Sequence, residues 1–486
     1  MADAPIRLTR TTNRPRLRTL DVAGERHASW LELFFDLVFV LAVAQVARLL
    51  VEQTDLAGFV KYVALFLPVW WSWVGFTFYA DRFESEEVAY RLLMFAGMLA
   101  VIGFALALGD AFTTTGDVAV VVCYVLIRAV LAALYLRAAY YVPLARAFSL
   151  QYPIGLGVSS TVFLASLLFD GNVRYAMWGL GFAIELATPL LNLRAARILP
   201  IDRSHIPERF GLFTIIVLGE AVIATSMGLA NVDWNVMTIA IASLGFAMAA
   251  ATWWINFEYV EESALISASL VQRFSYIYGH FFIVASIVAT GIGVEHAIKE
   301  ANEAHLHLPT LALMIGGVAV FIAAITAIRL ITGTCKLIYP RVITIAVLIA
   351  LVFASSFIPP IVVIAVTLLM LTIEVGIENY FSGEEKEDED PAHVRPCEHA
   401  SEMVVYKARS KGGCEQCVEN GYKWVHLRLC LGCGHVGCCD SSQYTHATKH
   451  FHSTDHPIMA SLEPGETWAW CYIDERFVPL EEPVRS

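Results

Sequence analysis

Residues Trp30–Leu50 read WLELFFDLVFVLAVAQVARLL. About 20 apolar residues, each rising about 1.5 Å, span a bilayer core, so this stretch is long enough for a membrane helix. It nevertheless carries Glu32 and Asp36. Residues four apart leave one face of a helix, so both carboxylates point the same way. Hydrocarbon cannot solvate such groups, so they face a bundle interior or an aqueous cavity. Glu208–Ala230, ERFGLFTIIVLGEAVIATSMGLA, reads as a partner stretch with Glu220 in mid-span. These acids are candidates for function as well as for pairing with a buried base.

The rest of the chain extends this pattern. Of 486 residues 57% are apolar and 16% charged, against about 45–50% and 25% in soluble domains. The excess lies between Leu31 and Phe381. From Phe381 onward the composition is that of a soluble domain, and −8 of the net charge of −12 falls there. Nucleic-acid binding is excluded as a partner class, because it wants a basic face. Residues 1–29 hold Arg7, Arg10, Arg14, Arg16, Arg18 and Arg26 against three acids, with no apolar signal-peptide core. They read as a basic cytoplasmic tail on anionic lipid.

Twelve membrane helices are expected between residues 31 and 380. Fifth and seventh helices starting near 153 and 210 are examples. Eighteen Lys and Arg flank the N-terminal side of these spans against Lys61, Arg174 and Lys299 on the other. That asymmetry places both termini in the cytoplasm of an inner-membrane protein. The halves, about 30–200 and 208–381, look duplicated. Trp70-Trp71 recurs as Trp253-Trp254, Gly109 as Gly291 and Ile184-Glu185 as Ile373-Glu374. Six helices per repeat make the repeats parallel. The expected fold is therefore a polytopic α-helical membrane protein in two six-helix repeats, followed by a small α+β zinc domain.

That domain follows an acidic linker at 382–396, whose six acids and one Lys in Glu384–Asp390 keep it extended. Eight of the ten cysteines lie beyond it. Two C-x-x-C pairs, Cys414/Cys417 and Cys430/Cys433, precede the ladder HATKHFHSTDHP, a pattern suited to tetrahedral zinc. A disulfide framework fits a cytoplasmic compartment poorly.

Over Cys397 to about Pro479, WVHLRLC, GHVGCCDSS and EPGETWAWCY carry a resemblance to the zinc finger of the ubiquitin-specific-protease (UBP) type. The resemblance implies two or three zincs in a module spanning about 397–480, with 481–486 as a tail. It would group Cys414, Cys417, Cys438 and His446 at one site, and Cys430, Cys433, His450 and His456 at a second. A third would use Cys397, His399 and Cys471, with Asp474 where full members place a cysteine; a carboxylate is also a zinc ligand. Cys439 has no assigned role, and His426, His435 and His452 read as surface histidines. Fingers of this type grip the Gly-Gly tail of ubiquitin in an aromatic pocket, which Trp424, Trp470 and Tyr472 could line. Where the family's arginine clamps the tail carboxylate this chain has Cys439-Asp440, and a carboxylate there opposes the ligand's.

WLELFFDLVFV at 30–40 and ERFGLFTIIVLGEA at 208–221 are similar to the signature stretches of the bacterial low-temperature-requirement A (LtrA) family, supported by WWINFEYVE at 253–261. This implies a polytopic inner-membrane protein and supplies no reaction. Function is then expected from the acids. Glu32, Asp36, Glu185, Glu220 and Glu374 fall in one depth range, with Arg128 and His280 as basic partners, and a shared vestibule would bind a small cation or relay protons. The expected activity is transport or conduction of a small cation or proton-coupled solute. The alternative is a membrane-tethered regulator whose finger binds a protein partner. No catalytic constellation stands out, so an enzyme is not expected.

Overall fold

The computed structural model describes residues 15–17, 28–84, 87–191, 205–230, 232–259, 270–335, 338–388, 397, 399, 407–410, 412–440, 442–463, 468–474 and 476–479. Most of the basic tail, residues 192–204 and 260–269, and the expected linker and C-terminal tail at 389–396 and 481–486 lie outside the described residues. The chain divides into two compact units, Met1–Ile377 and Glu378–Ser486.

The first unit is a bundle of long helices: α1 (Trp30–Glu52), α2 (Leu56–Arg82), α3 (Val88–Leu108), α4 (Thr114–Tyr141), α5 (Arg146–Ser166) and α6 (Asn172–Leu191). Then come α7 (His205–Ala230), α8 (Val236–Tyr259), α9 (Leu270–Lys299), α10 (Leu308–Thr332), α11 (Tyr339–Ala354) and α12 (Pro360–Asp388). Ten of these, α11 taken together with the 3₁₀ turn Ser355–Phe357 that continues it, are long and apolar enough to cross a membrane. The other two are α5 and α6, whose apolar runs are diluted by Arg146, Gln151 and several hydroxyls in α5 and by Arg174 and Glu185 in α6.

Local chemistry sets the helix ends. Ser29 opens α1 with a reciprocal cap: its side chain accepts from Glu32 N–H, and Glu32 Oε2 accepts from Ser29 N–H at 2.7 Å. Glu32 is thus partly a helix-start residue. Asp55 and Thr113 cap α2 and α4 by accepting from Gly58 and Gly116 N–H. The fifth helix starts at Arg146, after a 3₁₀ turn at Pro143–Ala145, and carries Pro153 inside it. The expected start near 153 is thus too late, because membrane helices tolerate an interior proline where neighbours satisfy the freed carbonyl. Part of the tail is also ordered, since β1 (Arg16–Leu17) pairs antiparallel with β2 (Phe83–Glu84) at the end of α2.

The two halves pack alike. In the first, α1 lies on α2 and α3, and α3 on α4; in the second, α7 lies on α8 and α9, and α9 on α10. The halves meet where α1 and α2 touch α7 and α9. Within the second half, the close approach of α7 and α9 relies on small residues, as between membrane helices generally. A Cβ on Gly291 would sit 2.6 Å from Ala221 Cα. At the meeting of the halves Trp73 stacks on Phe213 at 4.5 Å and meets Phe210 edge-on.

The second unit holds a five-stranded antiparallel sheet of β3 (Leu427–Cys430), β4 (Val436–Cys438), β5 (Ile458–Ser461), β6 (Trp468–Cys471) and β7 (Arg476–Pro479), in the order β4-β3-β5-β6-β7. Two short helices accompany it, α13 (Glu415–Asn420) and α14 (His446–Thr454). Its apolar core is small: Leu429, Leu431, Val436, Ile458, Ala460 and Ala469, beside Cys397 and Cys471.

Candidate functional site

The first candidate site lies where the N-terminal ends of α1 and α7 meet the C-terminal end of α2. Asp36 Oδ1 accepts from Arg209 Nη2 and from Trp73 Nε1, both at 2.7 Å. One turn away His205 stands between two carboxylates, its Nε2 3.4 Å from Glu32 Oε1 and its Nδ1 3.2 Å from Asp81 Oδ1. All five ionisable side chains are at most 3% exposed. Asp36 Oδ2, Arg209 Nε and Arg209 Nη1 have no hydrogen-bond partner among the described residues.

Asp81, His205, Arg209 and Trp73 were not among the sequence candidates. Arg209 had been counted as a flanking charge, yet it lies in the second turn of α7, which starts at His205. The available signal was the spacing His205-x-x-x-Arg209, which puts both bases on the face that meets Glu32 and Asp36 at the same spacing on α1.

The other expected acids lie elsewhere. Glu185 on α6 pairs with Arg128 on α4, Oε2 to Nε at 3.0 Å, and accepts from Tyr124 and Ser159 hydroxyls at 2.7 and 2.8 Å. Arg128 Nη2 also meets the Tyr124 hydroxyl. Glu374 on α12 accepts from Thr344 on α11, a counterpart of the Glu185–Ser159 bond in the other half. Glu220 lies on α7, its Oε2 buried without a hydrogen-bond partner among the described residues. His280 bonds the Tyr276 carbonyl at 2.8 Å and packs on Phe210, so among the described residues it partners none of the expected acids. Glu32 and Asp36 thus share the first site, whereas Glu185, Glu220 and Glu374 make their contacts elsewhere among the described residues. Depth along a helix does not set the direction in which a residue faces within the bundle.

In the second unit three groups of four donors converge: Cys414, Cys417, Cys438 and His446; Cys430, Cys433, His450 and His456; and Cys397, His399, Cys471 and Asp474, each within 4.8 Å. Cys414 precedes the first turn of α13 and Cys417 lies in it, while Cys430 and Cys438 end strands β3 and β4. His446 and His450 leave one face of α14. His446 Nδ1 is 3.2–3.3 Å from the Cys414, Cys417 and Cys438 sulfurs, and Cys417 and Cys438 sulfurs are 3.9 Å apart. A tetrahedron with zinc–sulfur bonds near 2.3 Å has sulfur–sulfur edges of about 3.8 Å, so these donors fit the ion. Burial, with Cys414 and Cys438 alongside, pushes the Cys417 thiol up to about 12. Thiols this crowded ionise together only with a cation between them. At the third group Asp474 Oδ2 lies 3.0 Å from Cys397 Sγ and 3.2 Å from His399 Nδ1.

One expectation for this unit is corrected by the structure. His435 is buried rather than superficial: its ring stacks on His450 at 4.2 Å and its Nδ1 lies 2.9 Å from Glu415 Oε2. It packs against a donor of the second group. Of the three aromatic residues, Trp424 and Tyr472 pack in different clusters. Trp424 covers Gly413 beside the first cysteine cluster, whereas Tyr472 stacks on Phe451 beside Cys430. Trp470 lies on β6, in register with Met459 of β5. Asp440 bonds Thr448, which bonds Tyr472 at 2.9 Å.

Known proteins resemble the chain in two stretches. The family model described as Bacterial low temperature requirement A protein (LtrA) matches residues 27–375. The model for the Zn-finger in ubiquitin-hydrolases and other protein matches 414–482; Cys397 and His399 lie before that match. Uncharacterized protein RA0937 of Rhizobium meliloti (strain 1021) is 28% identical over 312 residues, covering 61% of this chain and 75% of that protein. The solution NMR structure of protein RPA1320 from Rhodopseudomonas palustris is 42% identical, covers 19% of this chain and 96% of that one, and has a TM-score of 0.17.

Proposed function

Because this chain belongs to the bacterial low temperature requirement A (LtrA) family, a multi-pass membrane protein with an appended zinc-binding module, we propose that its helical unit is a proton-coupled solute transporter. The observation that carries this reading is the buried cluster shared by α1, α2 and α7. Asp36 Oδ2 and two nitrogens of Arg209 are buried and unused among the described residues, whereas a purely structural pair is normally fully hydrogen-bonded. Beside it, His205 has a carboxylate at each ring nitrogen. Such an imidazole takes a proton at one nitrogen and releases another from the opposite one, passing charge between Glu32 and Asp81. Ionisable chains of this kind inside membranes mark proton relays. A bare small cation is disfavoured at Asp36 itself, because Arg209 already supplies the positive charge.

We place both termini in the cytoplasm, on the Lys/Arg asymmetry. Activity-reporter fusions at residue 1 and after Phe381 should both report the cytoplasmic side; an external signal at either end contradicts the twelve-helix topology. In the zinc module the three donor groups act as closed structural sites, four protein ligands leaving no open position for catalysis. Its use as a protein-binding finger is the second reading, and Asp440 argues against a Gly-Gly tail as the partner.

Truncation separates the two readings. Vesicles carrying the chain ended at Phe381 should retain solute flux if the helical unit is a transporter. Loss of the cellular phenotype with no flux in either form would instead favour the tethered regulator.

A further inference from the structure

A cavity of about 80 Å³ lies between the halves, walled by α2, α4, α5 and α6 on one side and α9 on the other. It is distinct from the acid–histidine cluster and holds room for several waters or the polar head of a small molecule. Its charged lining is three guanidiniums, Arg82, Arg128 and Arg273, against one carboxylate, Glu185. Glu185 is committed to Arg128. Among the described residues neither Arg82 nor Arg273 forms an ion pair.

Arg82 is only 6% exposed. Its Nη1 donates to the Phe78 carbonyl at 3.2 Å, and its Nε has no acceptor. The fully buried Tyr135 hydroxyl, also in the lining, has no hydrogen-bond partner either. A buried cation without a counter-ion is costly, and so is a buried hydroxyl without a partner. The remaining walls are flat and apolar. Tyr135 stacks on Tyr152 at 4.5 Å, nearly parallel, and Trp71 stacks on Tyr278 at 5.6 Å. Two guanidiniums and a phenol suit an oxyanion, and aromatic walls suit an apolar body. The excess of positive charge works against a cation.

We propose that this cavity binds a small organic anion, a carboxylate carried on a flat apolar body, with Arg82 and Arg273 on the carboxylate and the Tyr135 hydroxyl donating to it. Binding stands on the cavity alone; that this anion is the solute moved rests on the transporter reading.

Calorimetric titration of the full chain in detergent tests it, with benzoate, inorganic phosphate and tetramethylammonium as probes. Benzoate should bind at one site per chain, phosphate at least about tenfold more weakly for want of an apolar body, and tetramethylammonium not at all. Arg273→Gln and Arg82→Gln should each weaken benzoate about tenfold or more, and Tyr135→Phe severalfold. Arg273 is half-buried, so Arg273→Gln and Tyr135→Phe carry the test if Arg82→Gln fails to fold; an unchanged melting temperature without benzoate certifies each variant. The proposal is overturned by absence of saturable benzoate binding, by phosphate binding as tightly, by preference for tetramethylammonium, or by folded variants that bind as wild type does. Benzoate binding without flux in any vesicle assay would leave this inference standing and sink the transporter reading. Flux without benzoate binding would do the reverse.

Discussion

Stripping zinc from the segment 378–486 should unfold it, and restoring zinc should refold it. The apolar core of this unit is a handful of residues around Leu429, Val436 and Ile458, too few to hold five short strands unaided. Domains this small need a staple, and apparent zinc binding of about 10–16 kcal/mol is folding energy in such modules. Metal analysis should return two or three zincs per chain, and Asp474→Ala should remove one while the others remain. The position of Asp474 between Cys397 and His399 predicts that difference. A segment that keeps its fold and near-ultraviolet signal after chelation, or that holds one zinc or none, would refute the assignment of twelve donors.

Asp36→Asn should cost the helical unit about 3–5 kcal/mol, the usual consequence of leaving a buried charge unpaired. Arg209 is 1% exposed, and among the described residues Asp36 is its ion-pair partner. The double variant Asp36→Leu/Arg209→Met should recover most of that stability, because apolar replacement of a buried pair is often neutral. Flux should nevertheless stay abolished in it. Melting curves in detergent read the first quantity and vesicle uptake the second. A double variant that is stable and fully active would make the pair mere scaffolding.

Much of the helical architecture was legible, because runs of about 20 apolar residues have few alternatives to spanning a bilayer. The i,i+4 spacing of Glu32 and Asp36 was legible as one face. What met that face was not. His205 and Arg209 come from the other half of the chain, and the short charged run around Glu208 and Arg209 looked like a loop end. Glu185, Glu220 and Glu374 could be placed in depth along their helices but not in direction around them, so the partners each one meets were not legible. In the second unit proximity was written locally, in C-x-x-C turns and in histidines one helical turn apart. His435 escaped because its burial depends on the stack with His450 and the reach of Glu415. The cavity between the halves left no trace in any one segment, since its walls come from five helices.

The buried cluster implies proton-coupled transport through a relay at His205. It is tested most directly by recording internal pH in vesicles that carry the full chain, after a solute pulse, beside vesicles that carry His205→Gln. The account predicts a solute-dependent proton movement in the first and none in the second, with solute binding retained in both. Equal proton movement in the two, or none above empty vesicles with folded wild-type protein for every solute tried, would contradict it.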